Sequence, residues 1–353
     1  MAQARTCKIG SLMFAIMLGG CVSVERAPAA DQAVAPAPAA QTSAEWYAGY
    51  LQNGRLVQLP GGRVLNIYCM GTGAPTVVLE AGLGGFAFDW RTVQSQIANR
   101  TRVCAYDRAG MGRSPAGPAP RDTRSHAADL EALLSAADIE GPYVLVGHSM
   151  GGYIVRLFAS RRLDDVVGMV LVDPSVENQL PVFEAAIPEF AGQGAAAIAH
   201  GHSCADPRRT AEVAANCTRA APQSFPADLA QAYVNAQDLA QWETFTLEVE
   251  SFIAVDSGQV TAERRPLGDI PLIVLTRSQR STNLTEEQAA TELRLWNETH
   301  ADTATLSTRG THRVVPDAGH YIQIDQPDAV IGAVLELVDA ARERRRWLSS
   351  KRQ

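Results

Sequence analysis

The chain has 353 residues, of which 46% are hydrophobic and 20% are charged. This composition is typical of a globular protein and excludes disorder over most of the chain. At roughly 150 residues per domain, the length allows two domains or one large α/β domain. The formal net charge of −7, from 31 basic and 38 acidic residues, disfavours the basic surface that binds nucleic-acid phosphates. We therefore expect no nucleic-acid partner.

The first 21 residues are typical of an export signal. Arg5 and Lys8 precede an apolar stretch, residues 9–18, that is too short to cross a bilayer. The stretch ends at Cys21 in the sequence LGGC, which resembles a bacterial lipobox. We expect an exported protein, periplasmic or held at the outer membrane through a lipidated Cys21. The alternative is an ordinary cleaved signal.

The rest of the chain divides into a linker, a folded domain and a tail. Residues 22–46 are rich in Ala and Pro and are predicted to form the linker. The domain is placed at residues 47–345. The tail, residues 346–353, continues an Arg-rich segment that is predicted to be a solvated helix end.

Strands and helices alternate along the domain. Strands are predicted at Leu56–Leu59, Arg63–Cys69, Thr76–Glu80, Arg102–Tyr106, Tyr143–Val146, Val166–Val172, 271–275 and 312–315. Helices are predicted at Phe86–Asn99, Ser125–Ala137, Ser149–Ser160 and Asp328–Arg344. Apolar strands separated by amphipathic helices indicate a parallel sheet covered on both faces. The alternation stops at about 176–265, which is helix-prone and is predicted to form a cap over the ligand-binding edge of the sheet.

The strongest chemical signal is the hexapeptide GHSMGG at residues 147–152, which matches the G-x-S-x-G nucleophile elbow. A sharp turn from strand to helix forces the central serine into a strained conformation. Gly147 and Gly151 stand where side chains would collide. Because an apolar strand precedes the motif and a helix follows it, Ser149 is predicted to be a nucleophile.

Together with four further segments, this motif gives the sequence a clear resemblance to a known family. The segments are Leu79–Gly85, Tyr106–Ser114, Leu171–Ser175 and Ala318–His320. Over about residues 50–340, the chain resembles α/β-hydrolases of the esterase, lipase and haloperoxidase-like group. The resemblance implies a mostly parallel eight-stranded sheet, flanked by helices and carrying an inserted helical cap.

A serine hydroxyl needs a general base at neutral pH. His320 follows the last predicted strand, where the family's catalytic histidine lies. His148, inside the elbow, is expected to point away from the site. His126 and His312 look structural.

The base needs an acid that holds its tautomer. Most family members carry this acid after the seventh strand, but residues 276–283 contain no carboxylate. Some members carry it after the sixth strand, where this chain has Asp173. We predict Asp173 as the acid, with Glu286 or Glu287 as the alternative. An Asp before Pro-Ser is also common turn chemistry, so Asp173 has a structural alternative.

Two backbone amides are predicted to bind the oxyanion of a tetrahedral intermediate. Met150 supplies one at the start of the helix after Ser149, and the family pattern implies Leu83 for the other. The Gly-rich loop at Gly84 and Gly85 lacks the Lys-Ser/Thr continuation of a P-loop, which disfavours phosphate binding.

If Cys7 is removed and Cys21 is lipidated, four cysteines remain: Cys69, Cys104, Cys204 and Cys217. An even number in an exported protein suggests disulfides, and the sequence allows three pairings. The family's sheet places its second and fourth strands side by side. The resemblance therefore implies Cys69–Cys104 and leaves Cys204–Cys217, with buried free thiols as the alternative.

The pattern His200-x-His202-x-Cys204 is compatible with a metal ligand set. No other ligand cluster supports a metal, and Cys204 has a nearby partner in Cys217. We expect neither a metal nor an organic cofactor.

These observations predict a serine hydrolase that cleaves small carboxylic esters through an acyl-enzyme on Ser149. The alternatives are hydrolysis of amide, lactone, thioester or C–C bonds, or a non-catalytic binding protein. A serine nucleophile disfavours the epoxide hydrolases and dehalogenases of the family, which use Asp. Five aromatic residues of the cap are candidates for an apolar pocket or for core packing: Phe183, Phe190, Phe225, Trp242 and Phe252.

Overall fold

The computed structural model describes residues 41–351. The predicted export signal, Cys21 and most of the predicted linker lie outside the described residues. The strands are β1 (Arg55–Gln58), β2 (Val64–Met70), β3 (Thr76–Glu80), β4 (Val103–Tyr106), β5 (Tyr143–His148), β6 (Val166–Val172), β7 (Leu272–Arg277) and β8 (Gly310–Val315). They form one sheet in the order β1-β2-β4-β3-β5-β6-β7-β8.

This sheet confirms the predicted architecture. The two pairings that involve β2 are antiparallel, and the five others are parallel. The carboxyl ends of β3 to β8 therefore meet at one edge, where open α/β sheets bind ligands.

Helices cover both faces of the sheet and form the cap. They are α1 (Ser43–Asn53), α2 (Gln94–Ala98), α3 (Thr123–Ala136), α4 (Gly151–Arg161), α5 (Gln179–Ala186), α6 (Gln193–Ala205), α7 (Ala211–Cys217), α8 (Ala227–Asn235), α9 (Leu239–Ser251), α10 (Ser257–Glu263), α11 (Glu286–Ala304), α12 (Ile322–Asp325) and α13 (Pro327–Ser350). The predicted helix at 86–99 is instead a short 3₁₀ turn, Ala87–Trp90, followed by α2. Among residues 41–351, no helix has both the length and the apolar character needed to span a bilayer.

The central strand β5 shows how the sheet separates two cores. Val144 and Val146 belong to the core that includes α13, whereas Tyr143 and Leu145 belong to the core that includes α3 and α4. Successive side chains of a strand point to opposite faces, so a continuous apolar run is what a sheet covered on both sides requires.

The cap is inserted between β6 and β7 and contains α5 to α10. Its first helix begins at Gln179 and its last helix ends at Glu263. Both predicted disulfides are present. Cys204–Cys217 joins α6 to α7, and Cys69–Cys104 joins β2 to β4, where the two cysteines are direct partners across the strands.

The predicted boundary between linker and domain at residue 46 is wrong, because it lies inside α1. Thr42 and Glu45 form a capping box that starts this helix. Trp46 is completely buried, and its Nε1 donates a hydrogen bond of 3.1 Å to Gln94. The folded part therefore begins a few residues earlier than predicted. At the other end, α13 runs to Ser350, so most of the predicted tail is helical.

The buried position of Trp46 makes a testable prediction. Replacing Trp46 with Ala is expected to lower the free energy of unfolding by about 3–5 kcal/mol, since it leaves a cavity in the core. Gln52→Ala, at an exposed position of the same helix, is the matched control and should change it by less than about 0.5 kcal/mol. Urea unfolding measures both. Equal effects of the two substitutions would mean that α1 does not belong to the folded domain.

Candidate active site

Ser149 lies at the sharp turn between β5 and α4, as the motif predicts. Its φ is 51°, in the left-handed region that non-glycine residues rarely adopt. A Cβ atom on Gly147 would lie 2.6 Å from the carbonyl oxygen of Gly151, and one on Gly151 would lie 2.6 Å from that of Ala81. The spacing of the motif therefore follows from close approach of the backbone on both sides of the serine.

His320 and Asp173 are joined by a hydrogen bond. Asp173 directly follows β6 and is 1% exposed, and its Oδ2 lies 2.6 Å from Nδ1 of His320, in the loop after β8. Because a carboxylate only accepts hydrogen bonds, Nδ1 carries a proton, and in the neutral ring Nε2 then presents a lone pair. This is the tautomer that a general base for a serine requires.

The surroundings of Asp173 keep its carboxylate ionised. Burial by itself raises the pKa of Asp173, but the hydrogen bond from His320 and the positive charge of Arg277 outweigh burial and hold the pKa below its ordinary value. Arg277 donates to Asp173 from its backbone amide at 3.1 Å and from Nη1 at 3.2 Å. Nη2 of Arg277 donates a hydrogen bond to the carboxylate of Glu292. Sequence reasoning missed both of these residues: Arg277 ends β7 and Glu292 lies on α11, and no local pattern links either one to Asp173.

Ser149 and His320 line the same cavity. The Ser149 hydroxyl makes no side-chain hydrogen bond within the part of the chain that the structure describes. Catalytic hydrogen bonds are often absent or long without substrate and tighten when it binds. Ser149 and His320 therefore line one cavity without a hydrogen bond between their side chains.

Leu83 and Met150 both carry backbone amides that donate no hydrogen bond to any described residue. Leu83 follows β3 and lines the cavity beside Ser149. Met150 is the next residue after Ser149, at the start of α4, where helix amides favour negative charge. The neighbouring amide of Gly84, in contrast, is taken by Glu248 at 2.9 Å. The two amides predicted from the sequence thus have no acceptor among the described residues.

The expectation that His148 points away from the site is wrong. Its ring lies against that of His320, with 4.7 Å between the ring centroids, and both residues line the cavity. Nε2 of His148 donates to the carbonyl oxygen of His320 at 2.9 Å. Burial lowers the pKa of His148 to about 3, so the ring is neutral. Residue 148 ends β5, and its side chain contacts the loop after β8, a long-range contact that local sequence does not reveal.

The cavity has a volume of about 530 Å³ and lies between the cap and the sheet edge. Its aromatic lining consists of Phe183, Phe190, Phe252, Trp296 and Tyr321. Two other predicted candidates lie elsewhere: Phe225 stacks on Tyr47, and Trp242 lies against His200. Trp296 comes from α11, outside the cap, and was not predicted.

The remaining candidates are not brought to the site. Glu286 pairs with Arg280 and is 88% exposed, so it does not replace Asp173. Glu287, beside it at the start of α11, is exposed as well. His200 lies close to Cys204 and Cys217, but their sulfur atoms are joined in a disulfide and offer no thiolate to a metal.

Comparison with known sequences identifies the family. Residues 77–333 match the profile of the alpha/beta hydrolase family. The chain belongs to this family. Among curated proteins, YqjL of Bacillus subtilis is 39% identical over 106 residues, which are 30% of this chain and 42% of that protein. The chain spans less than half the length of the first such relatives of this alpha/beta hydrolase.

Two solved structures show the same fold. A thermophilic esterase from Thermogutta terrifontis is 21% identical with a TM-score of 0.59, covering 82% of this chain and 98% of its own. The epoxide hydrolase CorEH is 19% identical with a TM-score of 0.60, covering 80% of this chain and 97% of its own. At these identities the likeness concerns the fold alone.

Proposed function

We propose that this alpha/beta hydrolase cleaves carboxylic esters through an acyl-enzyme on Ser149. Oγ of Ser149 attacks the acyl carbon while Nε2 of His320 takes its proton, and the amides of Leu83 and Met150 bind the oxyanion. The intermediate collapses, and His320 passes the proton to the leaving alcohol. A water molecule, deprotonated by His320, then attacks the acyl-enzyme, releasing the acid and restoring Ser149.

One observation carries this proposal: the hydrogen bond between Asp173 and Nδ1 of His320. It fixes the ring so that Nε2 remains available as a base in the cavity that also holds Ser149. A binding protein that had lost catalysis would have no need of a buried carboxylate that is kept ionised behind a histidine. The ester, one water molecule and these residues supply every bond and proton that the proposed reaction needs, so it requires no metal or cofactor.

The cavity favours an uncharged, apolar substrate. Its aromatic lining offers apolar surface to an alkyl or aryl group of the ester. Arg277 lines the cavity, but its guanidinium is already paired with Asp173 and Glu292, which leaves little charge for a substrate carboxylate. Amides, lactones and thioesters fit the same chemistry and are the alternatives to esters.

We also propose that the protein is exported and anchored through a lipidated Cys21. The lipobox-like sequence LGGC motivates this assignment. The two disulfides support it, because disulfides persist in oxidising compartments and are rare in the cytosol.

Covalent labelling tests the proposed function directly. A fluorophosphonate probe is expected to label the wild type at one residue, Ser149, because only an activated serine attacks phosphorus at a useful rate. Ser149→Ala should abolish both labelling and hydrolysis of p-nitrophenyl butyrate. Peptide mass spectrometry locates the label. A folded wild type that takes up no probe would instead favour a binding protein.

A second substitution tests the acid. Asp173→Asn is expected to lower kcat by about 10²–10⁴, since the amide favours the wrong histidine tautomer. Glu286→Gln is the matched control and should leave kcat unchanged, because Glu286 is exposed and paired with Arg280. Steady-state kinetics on the same ester measure both. The assignment would fail if Asp173→Asn stayed near the wild-type rate while Glu286→Gln was inactive.

A further inference from the structure

Arg108, in the loop after β4, uses every N–H group of its guanidinium. It is 2% exposed. Nε donates to Glu248 at 2.8 Å, and Nη1 donates to Glu80 at 2.7 Å and to the carbonyl oxygen of Ala81 at 2.9 Å. Nη2 donates to the carbonyl oxygen of Gly82 at 2.7 Å and to Glu248 at 3.1 Å. A guanidinium has five N–H donors, so this one is saturated.

The contact with Gly82 acts on the oxyanion donor itself. The carbonyl group of Gly82 and the amide of Leu83 belong to the same peptide bond. In a planar trans peptide, the C=O and N–H groups point in opposite directions. Arg108, together with the Gly85 amide that donates to the same carbonyl oxygen at 3.0 Å, fixes the direction in which the Leu83 N–H points. A charge-assisted bond to the carbonyl also polarises the peptide and makes its N–H a better donor.

Glu248 binds the residue that follows Leu83. Besides pairing with Arg108, its carboxylate accepts the amide of Gly84 at 2.9 Å. Glu248 belongs to cap helix α9 and is completely buried. Phe245, one turn earlier on α9, lies so close to Gly84 that a Cβ there would be 2.5 Å from the ring. The cap therefore rests directly on the loop that carries the oxyanion donor.

Arg108 and the two buried carboxylates beside it compensate one another's charges, so that loss of any one of them would be costly. Glu80 and Glu248 flank the guanidinium, and Glu80 also accepts a hydrogen bond from Tyr106. Nε2 of His126 lies 3.4 Å from Glu248. Burial and the nearby guanidinium of Arg108 lower the pKa of His126 well below its ordinary value, so it contributes no charge. Removing one member of a buried ion pair leaves its partner uncompensated, which is costly.

We propose that Arg108 and Glu248 are positioning residues for the oxyanion hole, and that Glu248 makes the placement of the Leu83 amide depend on the seating of the cap. Neither residue touches the reacting atoms. The assignment rests on the proposed function, because an oxyanion donor matters only if the acyl transfer takes place. It goes beyond that function by giving the cap a part in catalysis in addition to enclosing the substrate.

We expect substitution of Arg108 or Glu248 to slow the chemical step rather than to weaken substrate binding. Loss of an oxyanion donor costs about 10²–10³ in kcat, and a displaced donor costs part of this. Binding of the uncharged ester depends on the apolar lining, which these residues do not form. Weakened positioning should therefore lower kcat and leave KM nearly unchanged.

The experiment compares Glu248→Gln and Arg108→Lys with Glu250→Gln. Gln keeps the shape of Glu248, but one of the two carboxylate oxygens becomes an NH₂ group. That group cannot accept the hydrogen bonds that Arg108 and Gly84 donate to Glu248. Lys keeps the charge of Arg108 but has three donors instead of five. Glu250, on the same helix, pairs with the exposed His202 and is the matched control. Each variant is titrated to completion with a fluorophosphonate, so that kcat refers to active sites, and an alkyl boronic acid serves as the oxyanion-forming inhibitor.

We expect Glu248→Gln and Arg108→Lys to lower kcat about 10- to 100-fold, with KM within about threefold of the wild type. The boronic acid inhibition constant should rise by a similar factor, and Glu250→Gln should match the wild type. If Arg108→Lys does not fold, Glu248→Gln decides alone. Variants that retain the wild-type kcat and inhibition constant per active site would overturn the positioning role and leave the esterase proposal standing. A wild type without hydrolysis or labelling would overturn both.

Discussion

The candidate active site depends on one partly buried hydrogen bond, between Asp173 and His320. It joins residues 147 positions apart in the sequence, and it forms only because the ends of β6 and β8 meet at the same edge of the sheet. This bond and the contacts with Arg277 offset the free-energy cost of burying the Asp173 carboxylate. The sheet order, the two covered faces and the loop after β8 all serve to bring this pair to the cavity that Ser149 shares.

Local patterns in the sequence predicted the strands of the sheet and the elbow, whereas the family resemblance pointed to His320 and Asp173 as the base and the acid. Apolar runs of strand length indicate a sheet covered on both faces, and glycines two residues before and after Ser149 reflect close backbone approach. The family resemblance supplied the strand order, and with it the Cys69–Cys104 pairing. The strands and the elbow are encoded within a few residues of where they act, but the strand order and the disulfide pairing are not.

What the sequence did not reveal depends on distant contacts. Trp46 follows an Ala/Pro-rich stretch, and only its packing beside Gln94 shows that it belongs to the domain. His148 turns toward a loop 172 residues away. Arg108 and Glu248 are 140 residues apart, and nothing near either one indicates that they meet. The cap sequence is plain in composition, yet Glu248 of the cap accepts a hydrogen bond from Gly84, in the loop after β3.

A crystal structure of the protein after reaction with an alkyl fluorophosphonate would test this account most directly. We expect phosphorus to be bonded to Oγ of Ser149, with one phosphonyl oxygen about 3 Å from the amides of both Leu83 and Met150. Nε2 of His320 should lie within hydrogen-bonding distance of the bound oxygens. A phosphonyl oxygen that points away from both amides, or a label on another residue, would contradict the proposed catalytic arrangement.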